Sequence, residues 1–347
     1  MVGHRSTDWI GDDLRTVVVP ALLLVAVLVL IATALSVVTA PDVDGTIHNH
    51  AAHPGPVAAD YVAIEAAPAL PPAPRPGPAA SIGTFTAQCG RNAEGHRNSD
   101  NFITAPMITN GAHHVHDYVG NTSTDGRSTD ASLAAASTTC ARGDKSTYFW
   151  PVLRDIRRRG ADTGRPGGGL DGNLGDVLTP AEVSIQFLGN PQAKVRPTPR
   201  FVRIITGDAK AVTSRPPGSL ARALWTCSGT SGRASTSHYP LCPAGQLVQR
   251  TGEYPSCWNG SATDSDNHRT HVVFPDRTTG ACPATTMPIP RLRITLGYRV
   301  PPGRSFAIDS FPDQQRKAAT DHFDFENLMP EPLMKLVVDC INDGLTC

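Results

Sequence analysis

Apolar residues fall into two kinds of run along this chain, one long and uninterrupted, the others short and alternating. Residues 16–40 (TVVVPALLLVAVLVLIATALSVVTA) contain no charged side chain. At about 1.5 Å per residue, a helix of that length crosses a hydrocarbon core of about 30 Å. The pattern predicts a transmembrane signal-anchor over 16–40. Arg5 and Arg15 precede it, and no lysine or arginine follows before Arg75, so the positive-inside bias places 1–15 in the cytoplasm and the remainder outside. Val38-Thr39-Ala40 also fits a signal-peptidase site, in which case the mature chain is secreted; the long apolar run favours the uncleaved anchor.

Beyond the anchor the period changes. Residues 147–153 (TYFWPVL), 182–188 (EVSIQFL), 201–206 (FVRIIT), 223–227 (ALWTC), 271–274 (HVVF) and 289–300 (IPRLRITLGYRV) are short strand-like runs, several alternating apolar with polar positions as half-buried antiparallel strands do. A helix is predicted only near the end, where Pro330-Glu331-Pro332 precedes apolar residues at helical spacing up to Ile341. Residues 164–175 (GRPGGGLDGNLG) are glycine-rich but lack the ending of a phosphate-binding loop, so they read as a mobile surface loop. The expected fold is mainly β, an antiparallel β-sandwich of jelly-roll type with long loops, disulfides and a C-terminal helix, over residues 85–347. Residues 41–84, rich in alanine and proline, read as an extended linker between membrane and domain. The linker histidines His48, His50 and His53 read as solvated side chains.

Composition narrows the partners. Lysine plus arginine number 31, as do aspartate plus glutamate, so no long-range field favours nucleic acid. Eight cysteines occur without a Cys-x-x-Cys pair, which favours disulfides in an exported chain over a zinc ribbon. Connectivity is not fixed by sequence; proximity nominates Cys89 with Cys140, Cys227 with Cys242, Cys257 with Cys282, and Cys340 with Cys347. Each closure is worth ~2 to 4 kcal/mol.

Candidate chemistry centres on Ala112-His113-His114-Val115-His116-Asp117-Tyr118-Val119-Gly120-Asn121, which holds three of the chain's 12 histidines. In extended chain, His114 and His116 point to one side, and His322 and Asp324 near the end share a side in the same way. A divalent metal site would draw on His114 and His116 with one of His271, His322 or Asp324. A metal-free site would use His116 or His271 as acid or base beside Asp117 or Asp324, with Lys145 or Arg269 stabilising negative charge. A pure binding cleft would use Tyr118, Tyr148, Trp150 and Trp258 to stack sugar rings, with Asn121, Asp144 and Arg269 taking hydroxyls or carboxylates. Each residue also has an ordinary structural reading, as a satisfied strand-end polar group or a core aromatic.

The ordered set of 101–120 (NFITAPMITNGAHHVHDYVG), Cys140 with 144–150 (DKSTYFW), 201–208 (FVRIITGD), 257–260 (CWNG) with 268–272 (HRTHV), and Cys282-Pro283 before 289–292 (IPRL) resembles the DUF1996 family, a domain of unknown function. The resemblance spans most of 102–340. Where the family reads Trp-Asp-Gly, this chain has Trp258-Asn259-Gly260, without the carboxylate. The resemblance implies a secreted or cell-surface, disulfide-bonded domain of the kind found in fungi and actinobacteria. The combined expectation is a membrane-tethered extracytoplasmic domain that binds cell-envelope polysaccharide and, in its enzymatic version, cleaves it as a hydrolase or lyase through His114, His116, His271, His322, Asp324 and Lys145. A non-catalytic glycan-binding or structural envelope protein, and a metal-binding extracellular protein using His114, His116 and His322, are the alternatives.

Overall fold

A computed structural model describes residues 55–347. The expected cytoplasmic segment, the anchor at 16–40 and the three linker histidines lie outside the described residues. Among the described residues no helix is long and apolar enough to cross a membrane.

Two five-stranded sheets carry the architecture. The first runs in the order Leu224–Cys227, Val248–Glu253, Arg291–Tyr298, Glu182–Leu188 and Thr84–Ala87. The second runs Arg97–Asn98, His116–Gly120, Thr147–Pro151, His322–Glu326 and Arg203–Gly207. Every ladder in both is antiparallel. Alternation along Arg291–Tyr298 buries Leu292, Ile294 and Leu296 on one face, and they join Ile185, Phe187 and Trp225 against Val119, Tyr148, Trp150, Phe323 and Phe325 of the second sheet. The chain is a β-sandwich, as the alternating runs predict. The helix Glu331–Asn342 buries Leu333, Met334, Val337, Val338 and Ile341 and packs beside the strands Thr84–Ala87 and Glu182–Leu188.

The sheets approach closely where Gly252 faces Phe323. A Cβ added to Gly252 would lie 2.6 Å from the Phe323 ring. Gly252→Ala is therefore expected to cost about 1–3 kcal/mol through overpacking, read as a lowered urea midpoint. An unchanged midpoint would mean that the ring can turn aside.

All four disulfides join the cysteines nearest in sequence, Cys89–Cys140, Cys227–Cys242, Cys257–Cys282 and Cys340–Cys347. The linker expectation needs correction over its described part. The strand Tyr61–Ala63 pairs in parallel with Tyr239–Leu241, Tyr61 and Ile64 are buried, and Lys317 Nζ sits 2.8 Å from Asp60 Oδ1. Tyr61 and Ile64 supply the apolar anchors that a free spacer lacks, so this stretch lies along the domain. The proline-rich remainder is extended yet tethered, with Leu70 N donating to the Gly232 carbonyl and Gly77 N to the Pro191 carbonyl.

Candidate metal centre

Directly paired residues in antiparallel strands share a face of the sheet. His116 pairs with Pro151 and Tyr118 with Phe149; Phe149 pairs with Asp324; Asp324 pairs with Ile205 and His322 with Gly207. His116, Tyr118, Phe149, His322 and Asp324 thus occupy the face of the second sheet turned away from the sandwich core. Phe102, Ile103, Leu133 and Leu328 cover part of that face, packing on Tyr118 and Phe149.

Three imidazoles converge there. His114 Nε2 lies 3.1 Å from His116 Nε2 and 3.2 Å from His322 Nε2, and the latter two are 3.3 Å apart. His116 Nδ1 donates to the Asp100 carbonyl at 3.0 Å and His322 Nδ1 to the Thr320 carbonyl at 2.9 Å. A carbonyl only accepts, so these two rings carry their protons on Nδ1 and turn Nε2 lone pairs toward each other. One proton, on His114 Nε2, can relieve part of that conflict; a cation in the middle relieves all of it. Tetrahedral zinc with bonds of about 2.0–2.1 Å sets its ligand nitrogens about 3.3–3.4 Å apart, close to the spacing seen here. Burial, then the neighbouring imidazoles, push His114 well below its ordinary pKa. His116 is likewise pushed well below, by burial and then by His322, and burial brings His322 down to about 4. Neutral, Nδ1-protonated imidazoles are the form that binds metal.

Backbone placement of the His-x-His segment depends on a buried ion pair. Arg154 Nε and Nη2 bond Asp309 at 2.6 and 2.9 Å, and its Nη1 and Nη2 bond Asp162 at 2.7 Å each. Asp309 Oδ2 also accepts from Val115 N at 3.4 Å, between the two histidines, and Val152 N donates to the Val115 carbonyl at 2.9 Å. His113, at φ 52°, is held by Asp171, which accepts from its Nδ1 at 2.8 Å, and by Asn173 Nδ2, which donates to its carbonyl at 3.1 Å. The glycine-rich loop expected to be mobile is therefore fastened to the site: Asn173 is buried and also donates to the Gly167 and Ser310 carbonyls.

The cluster forms the floor of a cleft of about 420 Å³, lined by His114, His322 and Asp324 and walled by Asn101, Asp208, Lys210, Arg269 and Phe311. Asp324 Oδ2 is buried without a hydrogen-bond partner and lies 4.0 Å from His322 Nε2. Burial, opposed by the Arg269 charge, raises the Asp324 carboxyl to about 7. Asp208 Oδ2 is a second buried acceptor without a partner.

Of the residues nominated from sequence, the structure gathers His114, His116, His322, Asp324 and Arg269, and leaves the others elsewhere. His271 has both nitrogens engaged, Nε2 with the Arg203 carbonyl at 2.6 Å and Nδ1 with Ser265 Oγ at 2.9 Å. Lys145 Nζ donates to the Ala134 carbonyl, Asn121 Nδ2 to the Leu133 and Lys145 carbonyls, and Asp144 Oδ2 accepts from Tyr148. Tyr118, Tyr148 and Trp150 are buried, so none offers a face to a sugar; Tyr118 is stacked between His96 and Phe149. Trp258 packs against the core and donates to the Ala262 carbonyl. Asn259, at the departure from the family pattern, accepts from Ser261 N and Ala262 N and closes a turn. Sequence reasoning did not nominate Asp208, Lys210 and Phe311 for the cleft. The first two follow the strand end at Gly207, a position that favours sites; Phe311 gave no signal.

Fold and site together define a disulfide-bonded, mainly antiparallel β-sandwich with three converging imidazoles at the floor of a cleft. The chain belongs to the DUF1996 family, a domain of unknown function, whose model matches residues 105–327. That span contains all three histidines and the cleft-wall residues Asp208, Lys210, Arg269 and Phe311. No curated protein and no solved structure matches the chain.

Proposed function

We propose that this chain is a metal-dependent protein acting on extracytoplasmic glycan, with His114, His116 and His322 as ligands of one borderline divalent cation. The convergence of three Nε2 atoms carries the reading, because two of those lone pairs have no other use. Imidazole-only donor sets suit zinc, copper, nickel or cobalt better than magnesium or calcium. Three protein ligands leave a coordination position open toward the cleft, as catalytic sites do. Bound there, the cation would supply Lewis acidity to an oxygen entering from solvent.

This chain's other residues define the surroundings. Asp324 Oδ2 accepts a hydrogen bond from a water or hydroxyl placed between it and the cluster, and it can hold that group's proton. Arg269 offsets charge beside it. Burial of His116 beneath the cleft floor excludes water from the far side of the cluster. Four disulfides support an oxidising compartment, in keeping with an exported, membrane-tethered chain.

The test uses protein made without a histidine tag. Dialysed against buffered Zn(II) or Cu(II), it should retain about one equivalent by elemental analysis, and a chelator should remove the metal and lower the melting temperature. Ligand at a hundredfold over its dissociation constant stabilises by about 2.7 kcal/mol, a readily measured shift. Protein that takes up no metal and melts identically with and without chelator would overturn the reading. Release of fragments from purified envelope glycan, dependent on that metal, tests turnover.

A further inference from the structure

Lys210 and Arg269 line the cleft, and Arg222 lies close enough to Arg269 to act on its charge. Among the described residues, none of Lys210, Arg222, Arg269 and Arg277 forms an ion pair. Arg269 donates from Nη2 to the Gly207 carbonyl at 2.8 Å, while Arg222 Nε is buried with no acceptor. These groups also crowd one another. Burial and then the Arg277 charge hold Arg222 below its ordinary pKa; Arg269 is depressed first by burial, supported by the Asp208 and Asp324 carboxylates, and opposed by Arg222. No carboxylate acts on Arg222 in the same way, and like charges placed together without counter-charge are destabilising unless an anion joins them.

Two aromatic rings accompany the cations. Lys210 Nζ stands 5.0 Å from the Phe311 ring centroid in the cleft, and the Arg222 guanidinium carbon stands 4.9 Å from that of Phe274, which is 37% exposed. Aromatic faces beside polar groups are what sugar rings pack against. The unpartnered carboxylate oxygens of Asp208 and Asp324 are hydrogen-bond acceptors, and Asp324, raised to about 7, can also hold a proton. They call for hydroxyl donors and disfavour phosphate close by.

The geometry points to an acidic polysaccharide as the ligand: sugar hydroxyls meet Asp208 and Asp324 in the cleft, and ring carboxylates along the same chain meet Arg269, Arg222 and Arg277. This rests on the glycan part of the proposed function and not on the metal, so it is tested with chelator present. The full chain is passed over immobilised polygalacturonate and, in parallel, dextran. Selective retention on polygalacturonate, weakening with salt, is expected. An Arg222→Gln, Arg277→Gln double variant should bind about tenfold more weakly at low salt and show a shallower salt dependence, by roughly one to two in log–log slope. Lys335→Gln, on the far C-terminal helix, should behave as the parent.

Equal retention on dextran, or a double variant that binds like the parent, overturns the inference. So does single-stranded oligodeoxynucleotide competing as well as the glycan, since the track would then read charge alone. Normal metal uptake with failed retention sinks this inference and spares the metal centre. Retention without metal uptake does the reverse.

Discussion

His116→Ala is expected to lower affinity for Zn(II) or Cu(II) by on the order of 10²–10³-fold, measured by competition with a chromophoric chelator. The estimate divides the ~10–16 kcal/mol of a four-ligand zinc site among its ligands. His114→Ala and His322→Ala should match it, because the three Nε2 atoms stand in nearly equal relation, at 3.1, 3.2 and 3.3 Å. His271→Ala supplies the contrast. Its ring spans the Arg203 carbonyl and Ser265 Oγ, so its loss should cost about 1–3 kcal/mol of stability through two orphaned partners and leave metal affinity unchanged. Equal loss of affinity in the His271 variant would mean that the assay reads unfolding and not ligation. Undiminished affinity in all three cluster variants would remove the metal centre.

The contrast between His271 and His322 also marks how far the sequence could be read. His114-x-His116 and His322-x-Asp324 were visible as pairs sharing a face, because side chains alternate along a strand. Which pairs meet depends on strand order, and Thr147–Pro151 lies between the two strands that carry them. Chain order holds no such information, so only the register separates His322, named with His114 and His116 for a metal, from His271, the alternative third ligand. The sandwich and the closing helix were legible because Arg291–Tyr298 alternates in burial and Glu331–Asn342 follows helical spacing. Disulfide pairing followed proximity along the chain, and the structure has the same pairs.

Aromatic residues were misjudged for a different physical reason. Thr147–Pro151 is buried at all five positions, being central in its sheet with the sandwich core on one side and the covering loop on the other. Such a strand shows no apolar-polar contrast, and Tyr148, Phe149 and Trp150 could each have faced a ligand. Tyr148 and Trp150 face the sandwich core and Phe149 supports His116 at 5.3 Å between ring centroids. The ring in the cleft comes instead from a loop, Phe311, where periodicity gives no guidance. The linker at 41–84 misled because alanine and proline dominate it, whereas two buried anchors, Tyr61 and Ile64, suffice to fasten its described part.

Arg154→Met should be the most destabilising single change on the site's supporting side, at about 3 to 5 kcal/mol in urea unfolding. Arg154 and Asp309 are both fully buried, and removing one member of a buried pair leaves the other charge without compensation. Arg316 Nη2, 3.5 Å from Asp309 Oδ1, compensates in part, which places the expectation toward the lower end. Adding Asp309→Asn to Arg154→Met should recover some of the loss, because the stranded charge is gone; a purely steric role for Arg154 would give no recovery. Metal affinity should fall as well, by about 10- to 100-fold as for other supporting contacts around metal ligands, since Asp309 holds Val115 between two of the imidazoles and Asp162 ties the pair to the loop that fastens His113. A variant that loses stability yet binds metal as tightly as the parent would show that the strand pairing from His116 onward fixes the histidines without help from the ion pair.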